Sequence, residues 1–232
     1  MLYTEQTVLD SIRNRDGKRV FYLGKHDRLT PGARDLLTRQ RIEILPAEQA
    51  APAEYRLLSG GILREKPEEM THLSGNLLVP KTHPRIAFRG AIDSLEAELL
   101  LCQKAANEPL RGQLGEILEF SRHLIRWDVL EEPVQWDKLC GLTAEELRAH
   151  SHRPQDFYGQ PHFMPQATDS GTVLQLNRCR CAARSAELAA VRAFTDENGI
   201  ATRRDILQAL NRLSSMLYIL MIREKAKERQ KE

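Results

Sequence analysis

Apolar residues recur every three or four positions through most of the chain after residue 84, which is the period of an amphipathic α-helix. The pattern predicts helices over 85–106, 110–130, 143–150, 171–195 and 202–226. Thr143 and Glu146 have the spacing of a capping box, and Thr202 with Asp205 is predicted to cap the last helix. Several helices of this length with short connectors favour a mainly α fold, an antiparallel four- or five-helix bundle.

The first 46 residues follow another pattern. It predicts four short elements: a helix from Thr4 to near Gly17, a strand at 19–23 (RVFYL), a helix from Thr30-Pro31 and a strand at 41–45 (RIEIL). The next residues are rich in proline and alanine and show no sustained period. We therefore expect a small α/β appendage over 1–46, a linker over 47–70 and the helical bundle over 71–232.

The segment 151–170 interrupts the helical pattern with three prolines and a glycine. It also carries the aromatic residues Phe157, Tyr158 and Phe163. Long aromatic loops inside compact domains tend to be functional, so this loop is a candidate part of a binding site.

The composition of the chain excludes some classes of function but indicates none. The 232 residues carry a net charge of +2, from 34 basic and 32 acidic residues, so no broad surface for nucleic acid or membrane is expected. No apolar run is long enough to span a membrane, and no signal-peptide pattern follows Met1. We expect a cytoplasmic protein whose anion sites are local.

The cysteine and histidine residues predict no protein-bound metal. Four cysteines are too few and too scattered for a disulfide framework. Cys179 and Cys181 lie in a helical pattern, which directs their side chains to different sides and prevents a shared tetrahedral site. The seven histidines show no metal-binding motif.

The segment 71–93 (THLSGNLLVPKTHPRIAFRGAID) is a candidate anion site. It places a threonine, a lysine and two arginines around a helix start at Pro84. Lys81, Thr82 and the free N–H groups of the first helical turn could hold a polyphosphate. The alternative is that these basic residues are only solvated.

Two polar clusters interrupt the last two long helices. The first, Asn177, Arg180, Arg184 and Glu187, lies along one helix face. It is either a ligand-facing ribbon or an exposed face in which Glu187 pairs with Arg184. The second comprises Asn211, Arg212, Ser214 and Ser215 within an apolar run over 206–222, where a solvated turn and a ligand-facing turn look alike.

Three motifs together resemble the PduO-type ATP:cob(I)alamin adenosyltransferases, most closely their ethanolamine-utilisation (EutT-like) branch. The motifs are the 71–93 segment, LNRCRCAARSAE at 176–187 and LNRLSSMLYILMI at 210–222. LTPGARDLL at 29–37 and DILQALNRLSS at 205–215 are similar to the EutT-like branch itself. The glycine-rich K-G-D-x-G-T start of the family is replaced here by REKPEEM before Thr71. Because no cysteine precedes Cys102, we also expect no metal dependence of the kind that some EutT-like proteins show.

The resemblance implies transfer of the 5'-deoxyadenosyl group of ATP to cob(I)alamin, with Mg²⁺ as cofactor and with adenosylcobalamin and triphosphate as products. It implies these ATP-binding residues: Thr71, Lys81, Arg184, Glu187, Asn211 and Arg212. It implies these catalytic residues: Arg184, Arg180, Asp93 and Phe163. Asp93 and Arg180 would form a salt bridge across a subunit boundary. Phe163 would lie below the corrin ring, with Phe157 and Tyr158 as alternatives.

The resemblance also implies partners. It favours a homo-oligomer, with a trimer preferred and sites at subunit interfaces. A flavoprotein reductase would supply reduced corrinoid, and an adenosylcobalamin-dependent lyase or dehydratase, such as ethanolamine ammonia-lyase, would receive the product. Association with a bacterial microcompartment is a further expectation. The alternative function is a non-catalytic corrinoid or nucleotide carrier, or an assembly protein of such a compartment.

Overall fold

The computed structural model describes residues 1–15, 18–49 and 54–229. The chain divides into two compact units, Met1–Lys66 and Pro67–Glu232. The described part of the segment 47–70, interpreted above as a linker, contains a short 3-10 turn at Ala47–Gln49 and the strands Tyr55–Leu57 and Ile62–Leu63, and the strand Met70–Ser74 begins at its last residue. The domain boundaries drawn from the sequence therefore stay a prediction.

The first unit is a small α/β fold. Its elements are β1 (Leu2–Tyr3), α1 (Glu5–Ser11), β2 (Arg13–Arg15), β3 (Lys18–Leu23), β4 (Arg28–Leu29), α2 (Pro31–Arg39), β5 (Glu43–Pro46), β6 (Tyr55–Leu57) and β7 (Ile62–Leu63). Strand β3 pairs in parallel with β5 and antiparallel with β2, and β6 pairs antiparallel with β7. A small core forms from Val8, Phe21, Ala33, Leu37 and Ile42.

Both predicted helix starts in this unit are confirmed. The Thr4 hydroxyl accepts from the Thr7 N–H in a capping box, and the Thr30 hydroxyl accepts from the Ala33 N–H, with Pro31 in the first turn. The prediction that the first helix continues to near Gly17 is wrong. Helix α1 ends at Ser11 and strand β2 follows, while Gly17 itself lies outside the described residues.

The second unit carries the long helices. Its elements are β8 (Met70–Ser74), β9 (Leu77–Pro80), α3 (Pro84–Ala105), α4 (Leu110–Val129), α5 (Ala144–His152), α6 (Pro154–Tyr158), α7 (Gly171–Phe194) and α8 (Arg204–Arg229). Strands β8 and β9 form an antiparallel hairpin that turns at Gly75, whose φ of +52° suits glycine. None of the described helices is long and apolar enough to cross a membrane.

Helices α3, α4, α7 and α8 pack around one apolar core, which confirms the predicted helical bundle. Helix α7 packs against both α3 and α8, and α3 also packs against α4. The predicted stripe of α3 is buried at Ile92, Leu95, Leu99 and Cys102, and Phe88 joins it. Phe88 meets Phe194 edge to face at 5.4 Å, so the start of α3 lies beside the end of α7. The two helices are therefore antiparallel.

Short helices line one side of the bundle. The predicted capping box of α5 is confirmed, because the Thr143 hydroxyl and the Glu146 carboxylate each accept a backbone N–H of the other residue. The predicted cap of α8 is wrong. Thr202 instead donates its hydroxyl to the Phe194 carbonyl at 3.0 Å, and Asp205 pairs with Arg203. The segment 151–170 is partly helical rather than one loop, because α5 reaches His152 and α6 follows.

Candidate active site

A cleft of about 360 Å³ opens between α7, α8 and the end of α5. Residues at intervals of three or four share one face of a helix, so each helix presents a row of polar side chains to this space. The lining residues are Ser151, His152, His162, Arg180, Arg184, Asn211, Ser214, Ser215 and Tyr218. Three of the predicted site residues, Arg180, Arg184 and Asn211, therefore meet here. Within this described lining there is no carboxylate.

Arg180 is held in place by two neutral groups. Its Nε and Nη2 atoms donate to the Asn177 Oδ1 atom at 3.2 and 3.0 Å. Its guanidinium carbon lies 5.9 Å from the centre of the Tyr218 ring, in a cation–π contact. Neither partner neutralises the positive charge. Arg180 is therefore oriented and remains available to an anion.

Arg184 is exposed on the next turn of α7. It lines the cleft, and it makes no hydrogen bond or ion pair to any other residue that the structure describes. The alternative interpretation, an ion pair between Glu187 and Arg184, is wrong, because the Glu187 Oε1 atom instead accepts from the Asn211 Nδ2 atom at 3.0 Å. The polar ribbon thus reaches across to α8.

A chain of hydrogen bonds continues from Glu187 along α8. The Arg212 Nη1 atom donates to the Asn211 Oδ1 atom at 2.6 Å, so Asn211 joins a carboxylate to a guanidinium. The Arg212 Nε atom is buried and has no hydrogen-bond partner among the described residues. Arg212 also lines a neighbouring open cleft of about 530 Å³, together with Glu145, Arg148, Ala149, His152 and Gln208. The predicted residues Glu187 and Arg212 therefore flank the first cleft through Asn211.

His152, His162 and Tyr218 also line the cleft and were not among the site residues predicted from the sequence. The His162 Nδ1 atom lies 2.7 Å from the Tyr218 hydroxyl, and its Nε2 atom lies 3.2 Å from the His152 carbonyl. A signal existed for Tyr218, which follows Asn211 by seven residues and Ser214 by four and so lies on the same face of α8. The histidines reach the cleft only through tertiary packing.

The three candidate aromatic residues of 151–170 have different surroundings. Phe163 is half-buried against the bundle core and directly follows His162. Phe157 is 42% exposed and stacks on the His150 ring with centroids 3.7 Å apart. The Tyr158 hydroxyl lies 2.7 Å from the His150 Nδ1 atom. Of these three, Phe163 is the one that follows a cleft-lining residue directly in sequence, while the other two belong to a cluster with His150.

Thr71, Lys81 and Asp93 do not line this cleft. Thr71 lies in β8 opposite Val79, and Lys81 forms an exposed ion pair with Glu68 at 2.9 Å. Asp93 is exposed on α3. The predicted salt bridge between Asp93 and Arg180 joins two subunits and stays a prediction.

The two arginines of the 71–93 segment have a different partner from the one predicted. The Arg85 Nε atom donates to the Asp128 Oδ1 atom at 2.8 Å, and the Arg89 Nε atom donates to its Oδ2 atom at 2.7 Å. Asp128 is fully buried in α4. The interpretation of these two arginines as part of an anion site is therefore wrong, because both are held by Asp128 and Arg85 is also paired with Glu131 at 3.4 Å. Lys81 and Thr82 at the same helix start remain exposed.

His83 is the N-cap of α3, and its Nδ1 atom accepts from the Arg85 N–H at 3.2 Å. Burial and the positive charges of Arg85 and Arg89 lower the pKa of His83 below its ordinary value of 6.5. The neutral ring that accepts the hydrogen bond is therefore favoured.

The cysteines lie apart from this cleft. Cys179 is buried in the core and Cys181 is exposed, so the two thiols face different sides of α7. Burial raises the pKa of the Cys140 thiol to about 12. In the part of the chain that the structure describes, no three histidine, cysteine, aspartate or glutamate side chains are grouped as they would be to hold a metal ion.

The fold and the cleft together define a helical-bundle protein with a local, carboxylate-free cationic site. The family model described as cobalamin adenosyltransferase matches residues 62–224. The chain therefore belongs to the cobalamin adenosyltransferase family.

Similar proteins support the same assignment. The chain is 32% identical over 223 residues to the corrinoid adenosyltransferase EutT of Salmonella typhimurium, a match that covers 86% of this chain and 84% of the relative. It is 30% identical over 148 residues to the corrinoid adenosyltransferase PduO of Citrobacter freundii, covering 61% of this chain and 43% of that protein. The fold resembles a variant of a PduO-type ATP:corrinoid adenosyltransferase from Lactobacillus reuteri, complexed with cobalamin and ATP. The TM-score is 0.51 at 16% identity, over 76% of this chain and 91% of that chain.

Proposed function

We propose that this chain transfers the 5'-deoxyadenosyl group of ATP to cob(I)alamin, and that the cleft between α7 and α8 is where the transfer occurs. Family membership supports the reaction class. The observation that carries the assignment of the cleft is the pair Arg180 and Arg184, which face a space whose described lining has no carboxylate. An anion is the natural partner of each guanidinium group, and we assign the phosphates of ATP to Arg184.

For this reaction the protein must align the cobalt with the ribose C5' atom and neutralise the charge on the leaving triphosphate. The cobalt of cob(I)alamin donates an electron pair to the ribose C5' atom, a cobalt–carbon bond forms, and the C5'–O bond breaks as triphosphate leaves. Cob(I)alamin is itself a strong nucleophile, so no serine or cysteine nucleophile is needed. The task of Arg184 is to hold the phosphate chain and stabilise the charge that develops on it.

Asn211 and Glu187 give the cleft a polar group of fixed orientation that can bind a part of ATP other than its phosphates. The amide of Asn211 is fixed between Glu187 and Arg212, at 3.0 and 2.6 Å, so its orientation is set before ligand binds. We assign this group to the nucleoside end of ATP. A fixed polar group of this kind reduces the ordering cost of binding.

Magnesium fits this site only as a companion of ATP. Among the predicted ATP-binding residues Glu187 is the one carboxylate, and it already accepts from Asn211. We therefore assign Mg²⁺ to the phosphate oxygens of ATP, where it would share the neutralisation of the leaving triphosphate with the arginines.

Phe163 serves the corrinoid side of the site. It is apolar, half-buried and next to His162 of the cleft lining. We propose that its ring excludes water and the lower axial ligand from cobalt, which makes Co(II) easier to reduce. Phe163→Ala should then lose most activity with cob(II)alamin and a reductant, and full activity of that variant would overturn this role.

The remaining predicted residues reach the site from a neighbouring subunit. Thr71, Lys81 and Asp93 do not line the cleft of their own chain, and Asp93 is exposed on α3. Among the described residues, the ammonium group of Lys81 is held by one exposed ion pair, which contributes about 0–1 kcal/mol and is easily exchanged for a phosphate. We propose a homo-oligomer, with a trimer favoured, in which Asp93 of one copy meets Arg180 of the next.

The test of the reaction is anaerobic absorbance spectroscopy with ATP, Mg²⁺ and chemically generated cob(I)alamin, followed by photolysis. The expected result is a light-sensitive adenosylcobalamin spectrum that appears only with ATP. Tight corrinoid binding without turnover would overturn the proposal and favour a carrier. The missing glycine-rich loop before Thr71 would then be the reason.

The test of the shared site is complementation. Lys81→Ala and Arg184→Ala are each expected to be nearly inactive alone. Co-expressed, they should regain activity, because a mixed oligomer contains some interfaces with both residues intact. If mixed oligomers form and stay inactive, each site lies within one chain.

The relatives support a proposal for the physiological setting. The match to EutT proteins supports a role in ethanolamine utilisation, where the product would supply an enzyme such as ethanolamine ammonia-lyase. We further propose a cytoplasmic location, with a flavoprotein reductase as the source of reduced corrinoid and with microcompartment association as an option to be tested by co-purification.

A further inference from the structure

Tyr218 and His162 form a contact whose direction can be deduced. The His162 Nε2 atom lies 3.2 Å from the His152 carbonyl, which only accepts, so Nε2 carries the proton. In the tautomer with its proton on Nε2, the Nδ1 atom is the acceptor. The Tyr218 hydroxyl, 2.7 Å away, donates to it. One imidazole thus joins α8 to the end of α5.

This contact fixes the segment that carries Phe163. His162 directly precedes Phe163, and the two rings of His162 and Tyr218 lie nearly parallel, at 16° with centroids 5.8 Å apart. The face of Tyr218 also meets Arg180 at 5.9 Å. A single tyrosine therefore contacts both the cationic group of the cleft and the residue before the candidate corrin-facing ring.

We propose that Tyr218 and His162 are positioning residues that hold the Phe163 segment against α8. The contact fixes the position of the Phe163 ring, which would face the corrin, relative to Arg180 in the cleft. The inference rests on the proposed function, because it assigns these residues to the same site. Neither residue needs to contact the substrate. Their effect acts through the position of Phe163.

The surroundings of the phenol support this arrangement. Burial raises the pKa of Tyr218, so the hydroxyl keeps the proton that it donates to His162. The Arg180 charge and the nearby backbone N–H of Phe163 oppose that rise. The Phe163 main chain therefore lies close enough to the phenol oxygen to affect its proton.

The molecule contains a matched control for this contact. The Tyr158 hydroxyl also meets a histidine Nδ1 atom at 2.7 Å, that of His150, on the same side of the bundle. Burial likewise raises the pKa of Tyr158. Tyr158→Phe and Tyr218→Phe thus delete chemically equivalent hydroxyls, and only the second touches the Phe163 segment.

The experiment compares these two variants with the wild-type protein, after thermal melting has shown that all are folded. The readouts are ATP affinity, the electron paramagnetic resonance spectrum of bound cob(II)alamin with ATP, and turnover from cob(II)alamin with reductant or from pre-reduced cob(I)alamin. For Tyr218→Phe we expect unchanged ATP affinity and about tenfold slower turnover from cob(II)alamin. We also expect loss of the paramagnetic resonance signal that is given by cob(II)alamin lacking its lower axial ligand. Turnover from pre-reduced cob(I)alamin should change much less.

Each outcome has a distinct meaning. If the wild-type protein makes no adenosylcobalamin, the proposed function fails. If it does, and Tyr218→Phe behaves like Tyr158→Phe, only the positioning role is overturned. A loss in Tyr158→Phe alone would place the critical ring contact at Phe157 instead. His162→Asn, whose side chain can still accept from Tyr218, should retain more of the cobalt signal than His162→Phe, and equal loss in both would contradict the proposal.

Discussion

Two pairs of arginines with the same spacing serve different ends in this molecule. Arg85 and Arg89 on α3 both donate to the buried carboxylate of Asp128, at 2.8 and 2.7 Å. Arg180 and Arg184 on α7 face a cleft whose described lining has no carboxylate. The first pair holds α3 to α4, and the second has no compensating carboxylate among the cleft-lining residues of its own chain. The two pairs have the same spacing and differ in whether a carboxylate lies beside them. That difference distinguishes a structural pair from a candidate binding pair.

The burial of the two pairs agrees with this difference. The side chains of Arg85 and Arg89 are only 17% and 16% exposed, and Asp128 is 0% exposed. A guanidinium group so far from water needs a partner, because an unpaired buried charge is costly. Arg184 is exposed and needs none. The two pairs should therefore respond oppositely to mutation, one in stability and the other in activity.

Asp128→Asn should give the largest effect, on stability. It keeps the shape of the side chain and removes the buried counter-charge of two largely buried arginines, which should cost about 3–5 kcal/mol of unfolding free energy. The exposed Glu131, 3.4 Å from Arg85, is then the carboxylate partner that remains among the described residues. Urea unfolding should show a lower midpoint. An unchanged midpoint would mean that water solvates the charges of Arg85 and Arg89 once Asp128 is neutral. The contrast between this pair and Arg180 with Arg184 would then have no basis.

Arg184→Ala should have the opposite profile. Adenosylcobalamin formation should fall about a hundredfold or more, because a charge-stabilising group at the leaving triphosphate is lost. The unfolding free energy should change by less than about 0.5 kcal/mol, since the side chain is exposed. Steady-state kinetics and urea unfolding on the same preparation check both. A variant that is unstable yet active would reverse the assignment.

Arg180→Lys sharpens the comparison within the binding pair. Lysine keeps the charge but cannot make both bonds to Asn177 or stack its plane on Tyr218. We expect about a tenfold loss of turnover, intermediate between wild type and Arg184→Ala. Turnover equal to that of the wild type would show that only the charge matters at this position.

The smallest expected effect is on how stability depends on pH, through His83 beside Arg85 and Arg89. Burial and the two arginines lower the pKa of His83 below 6.5, so the folded chain binds this proton less readily than the unfolded chain. The stabilisation is fully present above pH 6.5 and is lost as the pH falls towards the folded pKa. His83→Asn keeps an acceptor for the Arg85 N–H without titrating. Urea unfolding from about pH 8 to about pH 5 should therefore vary less in the variant. Parallel profiles would contradict this.

The long helices were predictable from the sequence because their signals are local. The spacing of Ile92, Leu95 and Leu99 predicts the buried face of α3, and Thr143 with Glu146 marks the start of α5. These patterns depend on residues within a few turns of one another. The helical bundle and the polar rows on α7 and α8 follow from such local patterns.

The roles of the arginines were not predictable in the same way. Asp128 is 43 residues from Arg85 and 39 from Arg89, so nothing in the 71–93 segment reveals the partner. The contact of His162 with Tyr218 spans 56 residues. Long-range partners of this kind depend on how the helices pack. The sequence could identify candidate cations but not which of them were already neutralised.

The most direct test of the central claim is calorimetric titration of ATP into the wild-type protein and into Arg184→Ala, without corrinoid. Our account predicts saturable binding by the wild type and about tenfold to hundredfold weaker binding by a variant that unfolds at the same urea concentration. Equal affinity in the two proteins would show that ATP binds elsewhere. The carboxylate-free cleft between α7 and α8 would then not be the nucleotide site.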